Sequence, residues 1–173
     1  MFKAKESAGK SGSFFFFSYD RRFIIKTMNN AELSVFKKAL PEYFLHCRKY
    51  RNSLIARIYG IFTVQMEDIA PVNLLLMANA AQSGKDILHI FDLKGSTVNR
   101  EEKDPDVATK KDMNLIKMKK DSFLRFRQPD MKFILKQIQD DLRFLSRNNI
   151  MDYSLLVIIE TNPAWVAMKE QKK

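Results

Sequence analysis

Four consecutive phenylalanines, Phe14 to Phe17, constrain this chain more than any other feature. The run carries no polar face, so it reads as a strand of the core, with insertion into lipid as the lesser alternative. It follows a small, polar segment ending in Gly9-Lys10-Ser11-Gly12-Ser13 and closes at Tyr19-Asp20-Arg21, after which Phe23, Ile24 and Ile25 lead to Lys26. Two short β-rich runs joined by a polar corner predict a hairpin fed by a glycine turn.

The rest of the chain alternates helix and strand signals. From Ala31 the spacing of Leu33, Phe36, Leu40, Phe44 and Leu45 predicts a helix capped by Asn29 or Asn30 and bent or split at Pro41. Strands over 54–66 and 72–77, turning at Glu67-Asp68, enlarge the sheet to four. A short strand from Ile87 to Phe91 stops at Asp92-Leu93-Lys94-Gly95-Ser96. Residues 99 to 122 hold charges and few apolar side chains and read as a mobile connection. Asp130 opens a helix in which Ile134, Ile138, Leu142 and Leu145 hold one face until Asn148-Asn149 ends it, and Tyr153 to Glu160 is the final strand.

An apolar fraction of 46% allows these elements to share a packed core and excludes a disordered or low-complexity chain. The single cysteine, Cys47, excludes a disulfide scaffold and a cysteine zinc site, and suits a reducing, cytosolic setting. No apolar run approaches the roughly 18 residues of a spanning helix, so the expectation is a soluble or peripheral protein. A net charge of +10 favours anionic partners: nucleic acid, phosphorylated small molecules or acidic lipid.

Several motifs bear on which of these it is. Ala4 to Ser11 loosely fits a Walker loop, but too little chain precedes it and a strand follows where a helix is required. A strand, glycine turn and strand instead resemble the lid that kinases place over ATP phosphates. Lys26, at the apolar end of the second strand, wants a partner, and Glu32 in the first turn of the next helix can supply it; an edge lysine is the alternative. Asp92-Leu93-Lys94 fails as a protein-kinase catalytic loop, because Thr97 stands where asparagine is required. Asp152 precedes a buried strand, where a base can be held rigidly, although an isolated aspartate there is ordinarily a cap or turn residue. His46 and His89 lack metal-ligand spacing and read as structural or exposed.

Taken in order, Gly-Lys-Ser-Gly-Ser-Phe-Phe-Phe-Phe-Ser, Phe-Ile-Ile-Lys-Thr, Ile-Tyr-Gly, Phe-Asp-Leu-Lys-Gly-Ser-Thr and Ile-Met-Asp-Tyr-Ser-Leu-Leu resemble the phosphatidylinositol phosphate kinase family over about residues 9 to 160. The resemblance implies an α+β fold with a kinase-like two-lobe core: an antiparallel N-lobe sheet with its helix over residues 1–77, and a hinge with an incomplete C-lobe over 78–173. It implies transfer of the ATP γ-phosphoryl group to the inositol ring of a phosphatidylinositol phosphate. Gly9, Gly12 and Ser13 would cover phosphates, Lys26 with Glu32 would hold them, and Met77 and Asn79 would lie beside adenine. Lys94 would neutralise the transferring phosphate and Asp152 would act as the catalytic aspartate. Magnesium would bridge the phosphates, although the family's Ile-Ile-Asp metal motif and lipid-recognition loop are not found here and Glu160-Thr161-Asn162 stands after Ile158-Ile159.

The resulting expectation is a cytoplasmic lipid kinase core, peripheral at acidic membranes, inactive as the isolated chain, with no nucleic-acid partner and with other chains of a larger assembly as candidate partners. Lys94, Arg100 and several of Lys110, Lys111, Lys117, Lys119 and Lys120 are expected to share a lipid-facing surface at the mouth of the ATP cleft. A catalytically dead kinase-like scaffold is the second reading, and a protein-serine kinase the third.

Overall fold

The computed structural model describes residues 3–6, 13–81, 85–118 and 126–161. The fold is α+β, with one antiparallel sheet, one small mixed sheet and few helices. The chain forms two compact units, the first from residues 1–82 and 128–151, the second from 83–127 and 152–173.

In the first unit, β1 (Lys3–Glu6), β2 (Phe14–Phe17), β3 (Phe23–Met28), β4 (Ile58–Met66) and β5 (Ile69–Ala78) form an antiparallel sheet in the order β1-β2-β3-β5-β4. The phenylalanine strand and its hairpin are as the sequence predicts, with Phe16 opposite Ile25. The sheet has five strands and not four. The extra one, Lys3–Glu6, is an edge strand held by backbone pairing to β2, so it needs no apolar alternation and leaves no hydrophobic signature.

Helix α1 (Asn30–Lys49) is a single helix that runs through Pro41. Asn29 caps it: its Oδ1 accepts from the Glu32 N–H at 2.8 Å, while the Glu32 carboxylate accepts from the Asn29 N–H at 3.0 Å. Asn29→Ala is expected to cost about 1 kcal/mol, read as a lower urea midpoint at unchanged slope. The buried side of α1 carries Ala39, Tyr43 and His46. The Tyr43 hydroxyl donates to the Ala56 carbonyl at 3.2 Å and accepts from the Ile58 N–H at 2.8 Å, pinning the entry to β4. Burial pushes that hydroxyl up to about 12.

Helix α3, Gln128–Arg147 and the last helix among the described residues, belongs to the first unit. The division expected from the hinge, 1–77 and 78–173, puts this helix in the second lobe instead. What joins it to α1 is one buried carboxylate. Asp141 accepts from His46 Nε2 at 2.6 Å, Ser53 Oγ at 2.8 Å, the Leu54 N–H at 2.7 Å and Gln137 Nε2 at 3.0 Å. His46 and Asp141 are 8% and 5% exposed, so the polar pair is sealed inside, with Phe144 stacked on the histidine at 4.8 Å. His46 is therefore structural.

In the second unit, β7 (Thr109–Lys110), β6 (Ile87–Leu93) and β8 (Leu155–Glu160) form a three-stranded sheet with β6 central, parallel to β7 and antiparallel to β8. Phe91, the most buried large side chain, anchors β6. Within residues 99–122, expected to be a mobile connection, residues 99–118 supply β7 and the short helix α2 (Asp112–Lys117). Their order comes from ion pairs and hydrogen bonds, not from an apolar stripe. No helix among the described residues is long and apolar enough to cross a membrane.

Candidate functional site

The four charged residues selected from sequence fall into two ion pairs, one in each unit. In the first, Lys26 stands on β3 opposite Leu75 of β5 and Phe15 of β2. Its Nζ donates to Glu32 Oε1 at 3.1 Å. The other oxygen of that carboxylate closes the α1 capping box, so the residue that starts the helix is also aimed at the lysine. Burial opposes its ionisation, but the Asn29 N–H and Lys26 together hold the Glu32 carboxyl below its ordinary range.

Ser13 is buried immediately before β2, and the next N–H, of Phe14, donates to Thr27 Oγ1 at 2.9 Å. Gly9 and Gly12 lie outside the described residues. Met77 is half-buried on β5, level with Ile24 and Ile58. Asn79 follows that strand and braces it against the β2–β3 turn: its N–H donates to the Arg22 carbonyl at 2.9 Å and its Nδ2 to the Arg21 carbonyl at 2.8 Å.

In the second unit, Lys94 Nζ donates to Asp152 Oδ1. The two residues are far apart in sequence and meet because β6 and β8 are neighbours, Lys94 following one and Asp152 preceding the other. Asp152 has φ +60°, a left-handed conformation that aspartate tolerates better than most residues. Its side chain is 85% exposed, which leaves one face of the carboxylate open to a ligand. The Lys94 hydrogen bond, and then its charge, hold this carboxyl below the usual range, so it is an anion at neutral pH.

Behind the pair lies a frame that the sequence reading missed. Asp112, the first residue of α2, is 7% exposed. Its Oδ1 accepts from the Lys94 N–H at 3.0 Å and the Gly95 N–H at 2.8 Å, and its Oδ2 accepts from Arg100 Nε at 2.8 Å. Gly95 has φ +69°, which lets two successive amides point at one carboxylate. Arg100 then spans to Asp92 Oδ1 at 2.5 Å, and Asp92 Oδ2 accepts from Ser154 Oγ at 2.9 Å. The turn that presents Lys94 and the segment that presents Asp152 are thus tied to one network centred on the buried Asp112. Acids and bases alternating over 99–122 were its only sequence signal, and a solvated linker gives the same pattern.

Burial works against the Asp112 anion, but Arg100 and the Gly95 and Lys94 N–H groups hold its carboxyl below the ordinary value. A depressed folded-state pKa contributes stability above the unfolded value of about 3.9, which is lost as pH falls through the folded one. The turn is therefore expected to hold at neutral pH and to loosen only under strong acid, measurable as amide exchange at Lys94 and Gly95.

Most of the cations expected on a shared lipid-facing surface hold local partners in the described residues. Lys94 and Arg100 serve the network above, Lys111 pairs with Glu102 at 2.9 Å, and Lys117 pairs with Glu101. Lys110 Nζ donates to the Asp104 and Pro105 carbonyls at 2.7 and 3.2 Å. Lys119 and Lys120 lie outside the described residues. Local carboxylates neutralise these cations because the same segment supplies both signs. No group of three or more His, Cys, Asp or Glu side chains among the described residues is placed to hold a metal ion.

A family model described as phosphatidylinositol-4-phosphate 5-kinase matches residues 1–173. The chain is 40% identical over 157 residues to phosphatidylinositol 4-phosphate 5-kinase its3 of Schizosaccharomyces pombe, covering 88% of this chain and 21% of that protein. It is 38% identical over 156 residues to phosphatidylinositol 4-phosphate 5-kinase 1 of Arabidopsis thaliana, covering 87% of this chain and 20% of that protein. The chain spans about a fifth of the length of the curated relatives it matches. With the two ion pairs standing in the segments that carry the family's motifs, the chain belongs to the phosphatidylinositol-4-phosphate 5-kinase family.

Proposed function

We propose that this chain is part of a lipid kinase that transfers the γ-phosphoryl group of ATP to an inositol-ring hydroxyl of a phosphatidylinositol phosphate, with the two units serving as the lobes of a kinase-like core. The observation that carries the proposal is the Lys94–Asp152 pair, an exposed carboxylate beside an ammonium, both tied to the frame of the buried Asp112 and the part-buried Arg100. In this reading Asp152 accepts a hydrogen bond from the lipid hydroxyl and orients it for attack. Lys94 stays close to the transferring phosphoryl group and offsets the charge that develops there. Lys26, steadied by Glu32, holds ATP phosphates in the way a paired strand lysine does in kinases.

Magnesium belongs to this reading through the family. The nearby carboxylates are each committed to a cation, Asp92 and Asp112 to Arg100 and Asp152 to Lys94, so they do not make a ready metal cradle and no step above runs through the ion. The substrate lipid places the reaction at the cytoplasmic face of an acidic membrane, where the protein acts as a peripheral enzyme.

The test is phosphate transfer from labelled ATP to phosphatidylinositol 4-phosphate vesicles by the full-length protein. Lys26→Met is expected to weaken nucleotide binding by about tenfold or more and to lower turnover with it. Lys94→Met is expected to lower turnover while nucleotide affinity changes much less. No transfer by the native full-length protein, with nucleotide still bound, would favour a scaffold in place of an enzyme.

A further inference from the structure

Apart from both ion pairs, the first unit has a half-open groove of about 250 Å³ between the end of α1 and one face of α3. One wall is Lys49 to Asn52; the other is Phe133, Lys136, Gln137 and Asp140, residues that recur at helical spacing along α3. We propose that this groove binds a small molecule carrying a phosphomonoester, its phosphate met by Lys49, Arg51 and Lys136 and its ring lying against Phe133.

The charge around the groove is the first support. Three cations face one carboxylate, and Asp140 Oδ1 already accepts from Arg143 Nη1 at 3.0 Å. Among the described residues none of the three cations has a carboxylate within ion-pair distance. That contrasts with the second unit, where Lys94, Arg100, Lys111 and Lys117 have all found one. The carboxyl end of α1 favours a cation at Lys49, but Arg51 lies beyond the helix cap and Lys136 lies within α3, so the helix dipole does not explain why all three line this groove. A groove lined by three cations without carboxylate partners suits a bound anion, and a phosphate dianion can accept from each of them.

The walls are also fixed in advance. Asp141 lies one residue beyond Asp140 and binds His46 of α1, the Ser53 and Leu54 turn and Gln137 of the groove itself. Both walls are therefore pinned to one buried carboxylate, which lowers the ordering cost of binding. Lys49 Nζ rests over the Tyr50 ring, 5.0 Å from its centroid, which narrows where that cation can go. The volume lies just below the range of about 300–1,000 Å³ typical of sites for drug-sized ligands, so it suits a sugar phosphate or a single headgroup and not a dinucleotide.

Such a phosphate can belong to a soluble metabolite or to the headgroup of an acidic lipid. The experiment is calorimetric titration of the full-length protein with phenyl phosphate and with inorganic phosphate, alongside co-sedimentation with phosphatidylcholine vesicles containing phosphatidic acid. Phenyl phosphate is expected to bind saturably, and the double substitution Arg51→Gln with Lys136→Gln to weaken it by about tenfold or more. Phe133→Ala should weaken phenyl phosphate while leaving inorganic phosphate unchanged. Lys26→Met, which alters the proposed nucleotide contact, should leave both titrations as they are.

Vesicle binding that the double substitution removes would identify the source as lipid, and vesicle binding it leaves intact would identify a soluble ligand, provided phenyl phosphate responds as stated. Absence of saturable phenyl phosphate binding, equal binding by native and doubly substituted proteins, or loss in Lys26→Met would overturn the site. Since all substituted side chains of the groove are exposed, unchanged thermal melting shows that a loss is local. The lipid-kinase reading stands or falls separately, on phosphate transfer.

Discussion

Asp152→Asn in the full-length protein is expected to lower lipid-kinase turnover by about two to four orders of magnitude while nucleotide affinity changes by less than about threefold. Asparagine is the informative replacement for a backbone reason: the residue has φ +60°, and asparagine is among the few side chains that accept it. Alanine would combine loss of the carboxylate with strain in the segment entering β8. The amide can still receive a hydrogen bond from Lys94, but it carries no charge to set against the ammonium and cannot take a proton. Steady-state kinetics on vesicles with a parallel nucleotide titration separate the two effects. Turnover within a few fold of the native protein would return Asp152 to the role of a turn residue.

Asp141→Ala is expected to be the most destabilising single substitution among the described residues, by about 3–5 kcal/mol, because it leaves buried donors without an acceptor. Four donors lose their partner together: His46 Nε2, Ser53 Oγ, the Leu54 N–H and Gln137 Nε2. For a protein of this size the loss corresponds to a melting temperature lower by about 10 °C or more. Asp141→Asn keeps one acceptor oxygen and should recover part of it. Differential scanning calorimetry checks the prediction, and a shift below about 2 °C would mean that water replaces the carboxylate and that α3 is held by its apolar face alone.

The two predictions draw on residues of different legibility. Asp152 was visible in sequence as a motif position, but its partner Lys94 was not fixed by spacing, since the pair spans 58 positions and exists only because β6 and β8 are adjacent. Asp141 gave no functional signal at all. On α3 it reads as one more polar residue of a solvated face, and His46, 95 positions earlier, reads as an ordinary helical histidine. Similarly, Asp112 and Arg100 look like linker charges until β7 and α2 bring them under the Lys94 turn.

Sequence by itself indicated what repeats or caps locally: the phenylalanine hairpin, a helix over α1 with an asparagine cap at 29 or 30, the amphipathic α3, and Glu32 as a partner within reach of Lys26, six residues away. These depend on periodicity and on groups that meet within a turn or two, so a chain carries them wherever it folds. Only the tertiary structure decided the fifth strand, the order in residues 99–118, the union of α3 with the first unit, and which carboxylate each cation keeps. The reason is that a charged side chain is equally consistent with water or with a buried partner, and the choice rests on the distance and burial that packing imposes after the chain is closed.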